Sequence, residues 1–204
     1  MAPQNTNSGL PPSHPKPRLI IGITGASGAV LGIRMLEALK SLPIETHLIL
    51  SNSAPLTIQQ ETDWKVDDVR ALAHVSYDYQ NVGAAIASGS LTTLGMVIIP
   101  CSIKTLSAVA NSYADDLISR SADVTLKEGR PLILVVRETP YHPGHLRLMS
   151  EAASAGAIIF PPVPAFYIRP SSIDDMINNT VGRILARLGI KTGLYQEWQG
   201  LTTE

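Results

Sequence analysis

Small residues that could hold a phosphate follow the first apolar run of the chain. The segment Gly25-Ala26-Ser27-Gly28 comes directly after Arg18 to Thr24, where a predicted strand is followed by a predicted helix. Such a turn lets backbone N–H groups and the helix N-terminus approach an anion closely. Because the spacing is neither the dinucleotide G-x-G-x-x-G nor a Walker P-loop, it favours one phosphate over a pyrophosphate. A tight turn that binds nothing is the alternative.

Hydroxyl groups follow two other apolar runs in the same way. Ser51 and Ser53 come after the second run, while Ser102 and Thr105, with Lys104 between them, come after a later one. Helix capping explains any one of these serines by itself. Ligands of parallel sheets bind beyond the carboxyl ends of the strands. Three such strand ends together therefore predict a polar pocket for a phosphorylated ligand with an uncharged ring.

Charged residues stand out in three other places. Arg137-Glu138 directly follows five apolar residues, so the two side chains either form a structural ion pair or face a site. Arg183 and Arg187 lie four residues apart, which on pattern alone indicates a solvated helix stripe. A solvated face is also the simplest interpretation of a helical segment that carries six charges. Those six residues are Asp115, Asp116, Arg120, Asp123, Lys127 and Glu128.

Nothing in the sequence has the spacing of a metal site. The single cysteine, Cys101, excludes an intrachain disulfide and a multi-cysteine metal site, and it is typical of a small buried residue. His142 and His145 lie three apart but lack a third ligand in helical register. The tight acidic clusters are bare pairs: Asp67-Asp68, Asp115-Asp116 and Asp174-Asp175. We therefore expect no metal.

Short apolar runs alternate with helical patterns along the chain, and this alternation predicts the fold. The predicted strands are Arg18 to Thr24, Glu45 to Leu50, Met96 to Pro100, Leu132 to Val136 and Ala157 to Phe160. The predicted helices are Ala29 to Ser41, Ala54 to Gln60, Ile103 to Ala110, Asp115 to Glu128, Gly144 to Ala155, and a last one from Ser171 or Ser172 that is capped by Gly189. Such a pattern indicates an α/β fold of three layers, a parallel sheet with helices on both faces.

Composition narrows the class of protein. A chain of 204 residues predicts one domain, and a charged fraction of 16% is low for its size, which suggests surface hidden in a homo-oligomer. A net charge of -1 argues against nucleic acid and anionic membrane surfaces as partners. We expect residues 1–17 to form a disordered tail and residues 18–204 a single domain. Without a secretory or transit pattern, the cytoplasm is the default location.

Eight motifs, taken in order, resemble those of the UbiX flavin prenyltransferases from about Arg18 to Trp198. The first four are Gly22-x-Thr24-Gly25-Ala26-Ser27-Gly28, Glu61-Thr62-Asp63, Ser88-Gly89-Ser90 and Pro100-Cys101-Ser102-Ile103-Lys104-Thr105-Leu106. The others are Ala122-Asp123-Val124-x-Leu126-Lys127-Glu128, Arg137-Glu138-Thr139-Pro140, Pro161-Pro162-Val163-Pro164-Ala165-Phe166-Tyr167 and Val181-Gly182-Arg183-Ile184-Leu185. The Gly-rich turn alone would not be specific, but the ordered set is.

The resemblance implies a fold, a reaction and partners. Members of this family form a flavodoxin-like (Rossmann-like) domain that assembles into a homo-dodecamer with sites between subunits. They join dimethylallyl phosphate to reduced FMN, first at N5 and then at C6, without a metal. The product, prenylated FMN, is the cofactor of a separate UbiD-type decarboxylase, so the older name of aromatic-acid decarboxylase describes the partner's reaction.

The same resemblance implies a role for individual residues, including charges that pattern alone would leave in solvent. The implied FMN-binding residues are Gly25, Ala26, Ser27, Ser51, Ser102, Ile103, Lys104, Thr105 and Arg137. The implied prenyl-phosphate residues are Ser88, Gly89, Ser90, Arg120, Lys127, Arg137, Tyr167, Arg183 and Trp198. The implied catalytic residues are Ser27, Glu61, Lys127 and Glu138.

Two other functions fit part of the sequence. An FMN-dependent cysteine decarboxylase has a related fold, but it uses an early histidine and an Asn-rich substrate motif that have no counterpart in matching context here. His47 lies within a predicted strand. A flavin carrier without chemistry of its own would explain the FMN loops but not the additional cations Arg120, Lys127 and Arg183.

Overall fold

Six parallel strands form a single sheet in the computed structural model, which describes residues 16–200. The strands are β1 (Arg18–Ile23), β2 (Glu45–Leu50), β3 (Val75–Tyr77), β4 (Met96–Cys101), β5 (Leu132–Val136) and β6 (Ile158–Ile159). Their order across the sheet is β3-β2-β1-β4-β5-β6. Most of the predicted disordered tail, residues 1–15, lies outside the described residues.

Seven α-helices accompany the sheet within the described part of the chain, six of them between strands and the seventh after the last strand. They are α1 (Ala29–Lys40), α2 (Ala54–Glu61), α3 (Val66–Ala71), α4 (Ile103–Ala110), α5 (Leu117–Lys127), α6 (Pro143–Ser154) and α7 (Ile173–Arg187). Two short 3-10 helices span Ala85–Ala87 and Phe166–Ile168. None of the helices over residues 16–200 is both long and apolar enough to cross a membrane.

Side chains that alternate along the strands divide the core into two clusters, one on each face of the sheet. Leu19 and Ile21 of β1 pack with α1, α2 and α7, whereas Ile20, between them, packs with Met96 and Ile98 and with α4, α5 and α6. Both faces of the sheet are thus covered by helices, as expected for a parallel sheet. The predicted three-layer α/β fold is confirmed.

The order of the strands fixes where a ligand can bind. From β1 the chain moves outward through β2 to β3, and it then returns to β4 beside β1 and moves the other way. In open α/β sheets the crevice beyond the carboxyl ends of strands at such a switch point receives ligands. The loops after β1, β2, β4 and β5 all open on this edge, which we call the carboxyl edge.

The sequence pattern missed two short elements. Strand β3 has three residues and lies at the edge of the sheet, and helix α3 has six residues, so neither is long enough to show a periodic pattern. The last helix begins as predicted, because Ser172 caps it and forms a capping box with Asp175. Gly189 follows this helix with φ +76°, the left-handed conformation that ends helices.

Gly32 of α1 provides the first testable prediction, because the helix lies close to β4 at this residue. A Cβ atom at this position would lie 2.5 Å from the carbonyl oxygen of Ile99 and 2.8 Å from the side chain of Ile23. We expect Gly32→Ala to lower the free energy of unfolding by about 2 kcal/mol, although alanine favours helices over glycine by about 1 kcal/mol. The urea midpoint measures this. A raised midpoint would contradict the close contact between α1 and β4.

Candidate functional site

A cavity of about 230 Å³ opens at the carboxyl edge, at the switch point between β1 and β4. Six of its eight lining residues were singled out in the sequence, and two, Asn52 and Tyr79, were not. The six are Gly25, Ser51, Ser53, Ser102, Lys104 and Thr105. Hydroxyl groups and one ammonium group therefore surround a space large enough for a phosphate, as the three polar strand ends predicted.

Thr24 holds the two central loops of this cavity together. Its hydroxyl donates to the carbonyl oxygen of Pro100 at 2.7 Å and accepts the backbone N–H of Ser102 at 2.9 Å. The end of β1 is thereby tied to the end of β4. Ser102 in turn caps α4, because its hydroxyl accepts the N–H of Thr105 at 3.4 Å. Capping, the simpler explanation for this serine, is thus real, but it does not remove Ser102 from the cavity.

The backbone amides that follow the Gly-rich turn already bind a carboxylate of the protein itself. The carboxylate of Glu61 accepts the backbone N–H of Gly28 at 2.7 Å and that of Ala29 at 3.1 Å. Glu61 therefore caps α1 from the end of α2, and the positive end of the helix dipole stabilises its charge. Ala26 and Ser27 lie in the turn, with Ser27 exposed. Since the protein's own carboxylate uses the amides of α1, the hydroxyl cavity is the better place for a ligand phosphate.

Arg137 and Glu138 follow β5 and do not pair with each other. The backbone N–H of Arg137 donates to the carbonyl oxygen of Cys101, and the carboxylate of Glu138 accepts the N–H of Thr139 at 3.0 Å. Within residues 16–200, the Arg137 guanidinium lies near no carboxylate. The structural ion pair, one of the two interpretations, is therefore not formed, and a site role for these side chains stays a prediction.

Two buried polar residues at this edge were missed by the sequence interpretation. Tyr79 is 8% exposed and Asp116 6% exposed, and the tyrosine hydroxyl donates to the carboxylate. Lys104 Nζ donates to the same hydroxyl at 3.0 Å. Burial, followed by the bond to Asp116, raises the pKa of Tyr79, and the bond to Tyr79 raises the pKa of Lys104. The solvated face predicted for this helix is wrong at Asp116, which caps α5 and accepts the N–H of Ser119 at 2.8 Å.

A second group of predicted residues lies at the opposite, amino edge of the sheet. Lys127 ends α5 and pairs with Glu128 at 2.6 Å. The segment Ser88-Gly89-Ser90 precedes β4 and contacts this pair closely, since a Cβ atom on Gly89 would lie 2.0 Å from the Glu128 carboxylate. Arg130, which the sequence did not single out, holds the segment by donating to the carbonyl oxygens of Gly89 at 2.8 Å and Leu91 at 2.6 Å.

One copy of the chain does not bring these two groups of residues together. Asp116 at the start of α5 lies at the carboxyl edge, beside Tyr79 and Lys104. Lys127 is eleven residues further along the helix, roughly 16 Å away at the rise of an α-helix. Arg120 lies between them and pairs with Asp123 at 3.2 Å. The predicted prenyl-phosphate residues are therefore spread over separate surfaces of a single copy.

The remaining predicted residues lie near the end of the described chain. The ring of Tyr167 meets that of Trp198 edge to face, with centroids 5.5 Å apart, and both side chains are largely exposed. The Arg183 guanidinium lies 5.9 Å from the ring centroid of Phe160. These exposed aromatic and cationic groups form a third surface that is open in a single copy.

The cysteine and the histidines do not contribute a nucleophile or a metal site to the cavity. Cys101 is fully buried, and burial raises the pKa of its thiol far above the usual range. The rings of His142 and His145 lie 3.7 Å apart at the start of α6. Over residues 16–200, no three side chains of the His, Cys, Asp or Glu type are grouped as metal ligands.

Comparison with known proteins gives consistent matches over most of the chain. Residues 8–183 match the family described as Flavoprotein. The flavin prenyltransferase UbiX of Escherichia coli strain K12 is 56% identical over 186 residues, which are 90% of this chain and 98% of that protein.

Two solved structures superpose closely on the described residues. AnUbiX in complex with FMN and dimethylallyl pyrophosphate gives a TM-score of 0.89 at 49% identity, over 91% of this chain and 99% of that one. The dodecameric FMN-dependent UbiX-like decarboxylase of Escherichia coli O157:H7 gives a TM-score of 0.88 at 46% identity, over 90% of this chain and 100% of that one.

Proposed function

The chain belongs to the UbiX family of flavin prenyltransferases, and from this premise we propose how its residues bind and join the two substrates. The protein is a prenyltransferase that acts on FMN with a dimethylallyl donor. Our finer proposal is that the donor is dimethylallyl phosphate and that reduced FMN is the acceptor, first at N5 and then at C6. A UbiD-type decarboxylase would then receive the product.

The hydroxyl cavity at the carboxyl edge carries the proposal for FMN. Ser51, Ser102 and Thr105 offer hydroxyl donors and Lys104 offers an ammonium, which together suit a phosphate monoester. The full FMN-binding set that we propose also contains Gly25, Ala26, Ser27, Ile103 and Arg137. These residues lie in the loops that follow β1, β2, β4 and β5 or in the first turn of α4, so the ring can extend from the phosphate across the switch point.

A second copy of the chain is needed to complete the donor site. Lys127 and the segment Ser88-Gly89-Ser90 lie at the amino edge, and Lys127 is roughly 16 Å along α5 from Asp116, which lies beside the proposed FMN cavity. We propose that these residues, with exposed groups such as Tyr167, Trp198 and Arg183, meet the carboxyl edge of a neighbour. A homo-oligomer, which the dodecameric relative supports, provides this contact.

The cations act on the leaving group. When the bond between the allylic carbon and the phosphate oxygen breaks, negative charge grows on that oxygen. Donors fixed in a pocket that excludes water stabilise this charge more in the transition state than in the ground state. Lys127, Arg120, Arg137 and Arg183 are the donors that we propose for this task, which in many prenyl transfers belongs to a metal ion. Reduced FMN supplies the nucleophilic ring atoms when it is bound.

The acidic residues at the carboxyl edge are our candidates for proton transfer. Glu61 lies against the Gly-rich turn through its bonds to Gly28 and Ala29, which places its carboxylate within the loop that carries Ser27. Glu138 follows β5 on the same edge and is partly exposed. We propose that Ser27 and Glu61 receive and pass on the proton lost from N5, while Glu138 acts beside Arg137.

The test is an anaerobic incubation of the purified protein with reduced FMN and dimethylallyl phosphate, with no metal added. Mass spectrometry of the released flavin should show one five-carbon unit added. Dimethylallyl diphosphate is run in parallel, because that compound accompanies FMN in the AnUbiX complex. If only dimethylallyl diphosphate gives product, the donor is the diphosphate and not the monophosphate.

Two outcomes would point to the other functions. Unchanged FMN with every donor, from a protein that is folded and has flavin bound, would contradict prenyl transfer and leave a flavin carrier. Loss of FMN binding in Arg183→Ala would also favour a carrier, since the donor site should be separable from flavin affinity. Release of carbon dioxide from a cysteinyl peptide would instead indicate a cysteine decarboxylase.

A further inference from the structure

A hydrogen-bonded chain of three side chains, Lys104, Tyr79 and Asp116, fixes an ammonium group at the mouth of the hydroxyl cavity. Lys104 Nζ donates to Tyr79 Oη at 3.0 Å, and the tyrosine hydroxyl donates to Asp116 Oδ2. Lys104 Nζ also lies 3.6 Å from the same carboxylate oxygen. Tyr79 and Asp116 come from the loop after β3 and from the start of α5, so the chain joins three separate elements.

The two buried members are held firmly from both sides. Asp116 uses one carboxylate oxygen for Tyr79 and the other for the N–H of Ser119, where it caps α5. The backbone oxygen of Tyr79 accepts the N–H of Leu117 at 2.9 Å. A buried carboxylate needs such partners, because burial without them is strongly unfavourable. The position of the tyrosine hydroxyl is therefore determined by the fold before any ligand arrives.

Lys104 differs from its two partners, since its side chain is 71% exposed. A long exposed lysine side chain ordinarily samples many rotamers. The bond to Tyr79 uses one of its three N–H donors and leaves two for the cavity, where Ser51, Ser102 and Thr105 supply the other polar groups. Donors that are already in place lose less entropy when a ligand binds.

We propose that Tyr79 is a positioning residue for flavin binding, which acts by holding the Lys104 ammonium over the phosphate of FMN. The inference rests on the proposed binding of the FMN phosphate in this cavity. Asp116 provides the fixed acceptor for the tyrosine hydroxyl. The site thereby recognises the phosphate end of the ligand, so FMN is distinguished from riboflavin, which has the same ring and no phosphate.

The test compares the dissociation constants of FMN and riboflavin, measured by flavin fluorescence, in the wild type and in Tyr79→Phe. This change removes only the hydroxyl, and we expect it to weaken FMN binding by about 10-fold, as for the loss of a bond to a charged group. Riboflavin binding should change less than about 2-fold, because the ammonium has no phosphate to contact. Tyr77→Phe is the matched control, since its hydroxyl bonds to His47 Nδ1 at 2.9 Å instead of to Lys104.

A double-mutant cycle separates positioning from a general structural effect. In a Lys104→Met background, Tyr79→Phe should have almost no further effect on FMN affinity, since the group that it positions is gone. Lys104 is exposed, so this background should fold normally. Equal losses for FMN and riboflavin, or the same loss with and without Lys104, would overturn the inference. Neither result would affect the proposed prenyl transfer, which is judged from the product.

Discussion

Gly25→Ala should greatly weaken FMN binding, while the protein still folds. A Cβ atom on Gly25 would lie 2.4 Å from Cβ of Ser53 and 3.3 Å from its carbonyl carbon. Neither atom is the movable end of a long side chain, so the turn after β1 and the start of α2 have to separate. Both segments line the hydroxyl cavity. We expect the dissociation constant of FMN to rise by about 100-fold and the free energy of unfolding to fall by about 1–3 kcal/mol.

Isothermal titration with FMN and urea unfolding measure these two effects. Gly83→Ala is the matched control, because its added Cβ would have nothing closer than the Asn81 side chain at 3.6 Å. The control should bind FMN as the wild type does. An unchanged FMN affinity in Gly25→Ala, with the fold intact, would place the flavin somewhere other than this cavity.

Lys127→Ala should separate prenyl transfer from flavin binding. Lys127 lies at the amino edge, roughly 16 Å along α5 from Asp116 beside the cavity, so FMN affinity should change by less than about 2-fold. If its ammonium stabilises the leaving phosphate, the rate of prenyl transfer should fall by about 100- to 1,000-fold. Single-turnover mass spectrometry of the released flavin measures that rate.

The control for this variant is Lys40→Ala. Lys40 is the last residue of α1, as Lys127 is the last residue of α5, and it too is exposed. Removing it should leave both FMN binding and prenyl transfer unchanged. A Lys127→Ala protein that transfers the prenyl unit at the wild-type rate would remove this residue from the donor site.

Much of the fold could be predicted because its long elements have clear patterns. The continuous apolar strands β1, β4 and β5 are buried on both faces, and the apolar spacing of α7 and its Ser172 cap define the last helix. The short elements β3 and α3 could not be predicted, since their positions depend on contacts with distant parts of the chain. Tyr79 was missed for this reason, because nothing local marks the end of a three-residue edge strand.

The site was predictable in part, and its division between two edges was not. Glycine and hydroxyl residues after strands indicate a pocket directly, and Ser51, Ser102 and Thr105 do line one. The burial of Asp116 was harder to predict, because a charged residue near the start of a helix is usually solvated. In the structure, the hydroxyl of Tyr79 and the amide of Ser119 compensate for this burial by donating hydrogen bonds to the carboxylate. The motif that contains Lys127 implied a role in prenyl-phosphate binding, but only the course of α5 shows how far this lysine lies from the cavity.

Co-assembly of two inactive variants tests whether each site is shared between two copies of the chain. Gly25→Ala damages the carboxyl edge and Lys127→Ala the amino edge, and the two chains are co-expressed with different tags and purified as mixed oligomers. If each site combines the carboxyl edge of one copy with the amino edge of another, random assembly restores about a quarter of the sites. We predict prenylated FMN at about a quarter of the wild-type rate. Mixed oligomers as inactive as their parents would contradict the shared site and confine the chemistry to one chain.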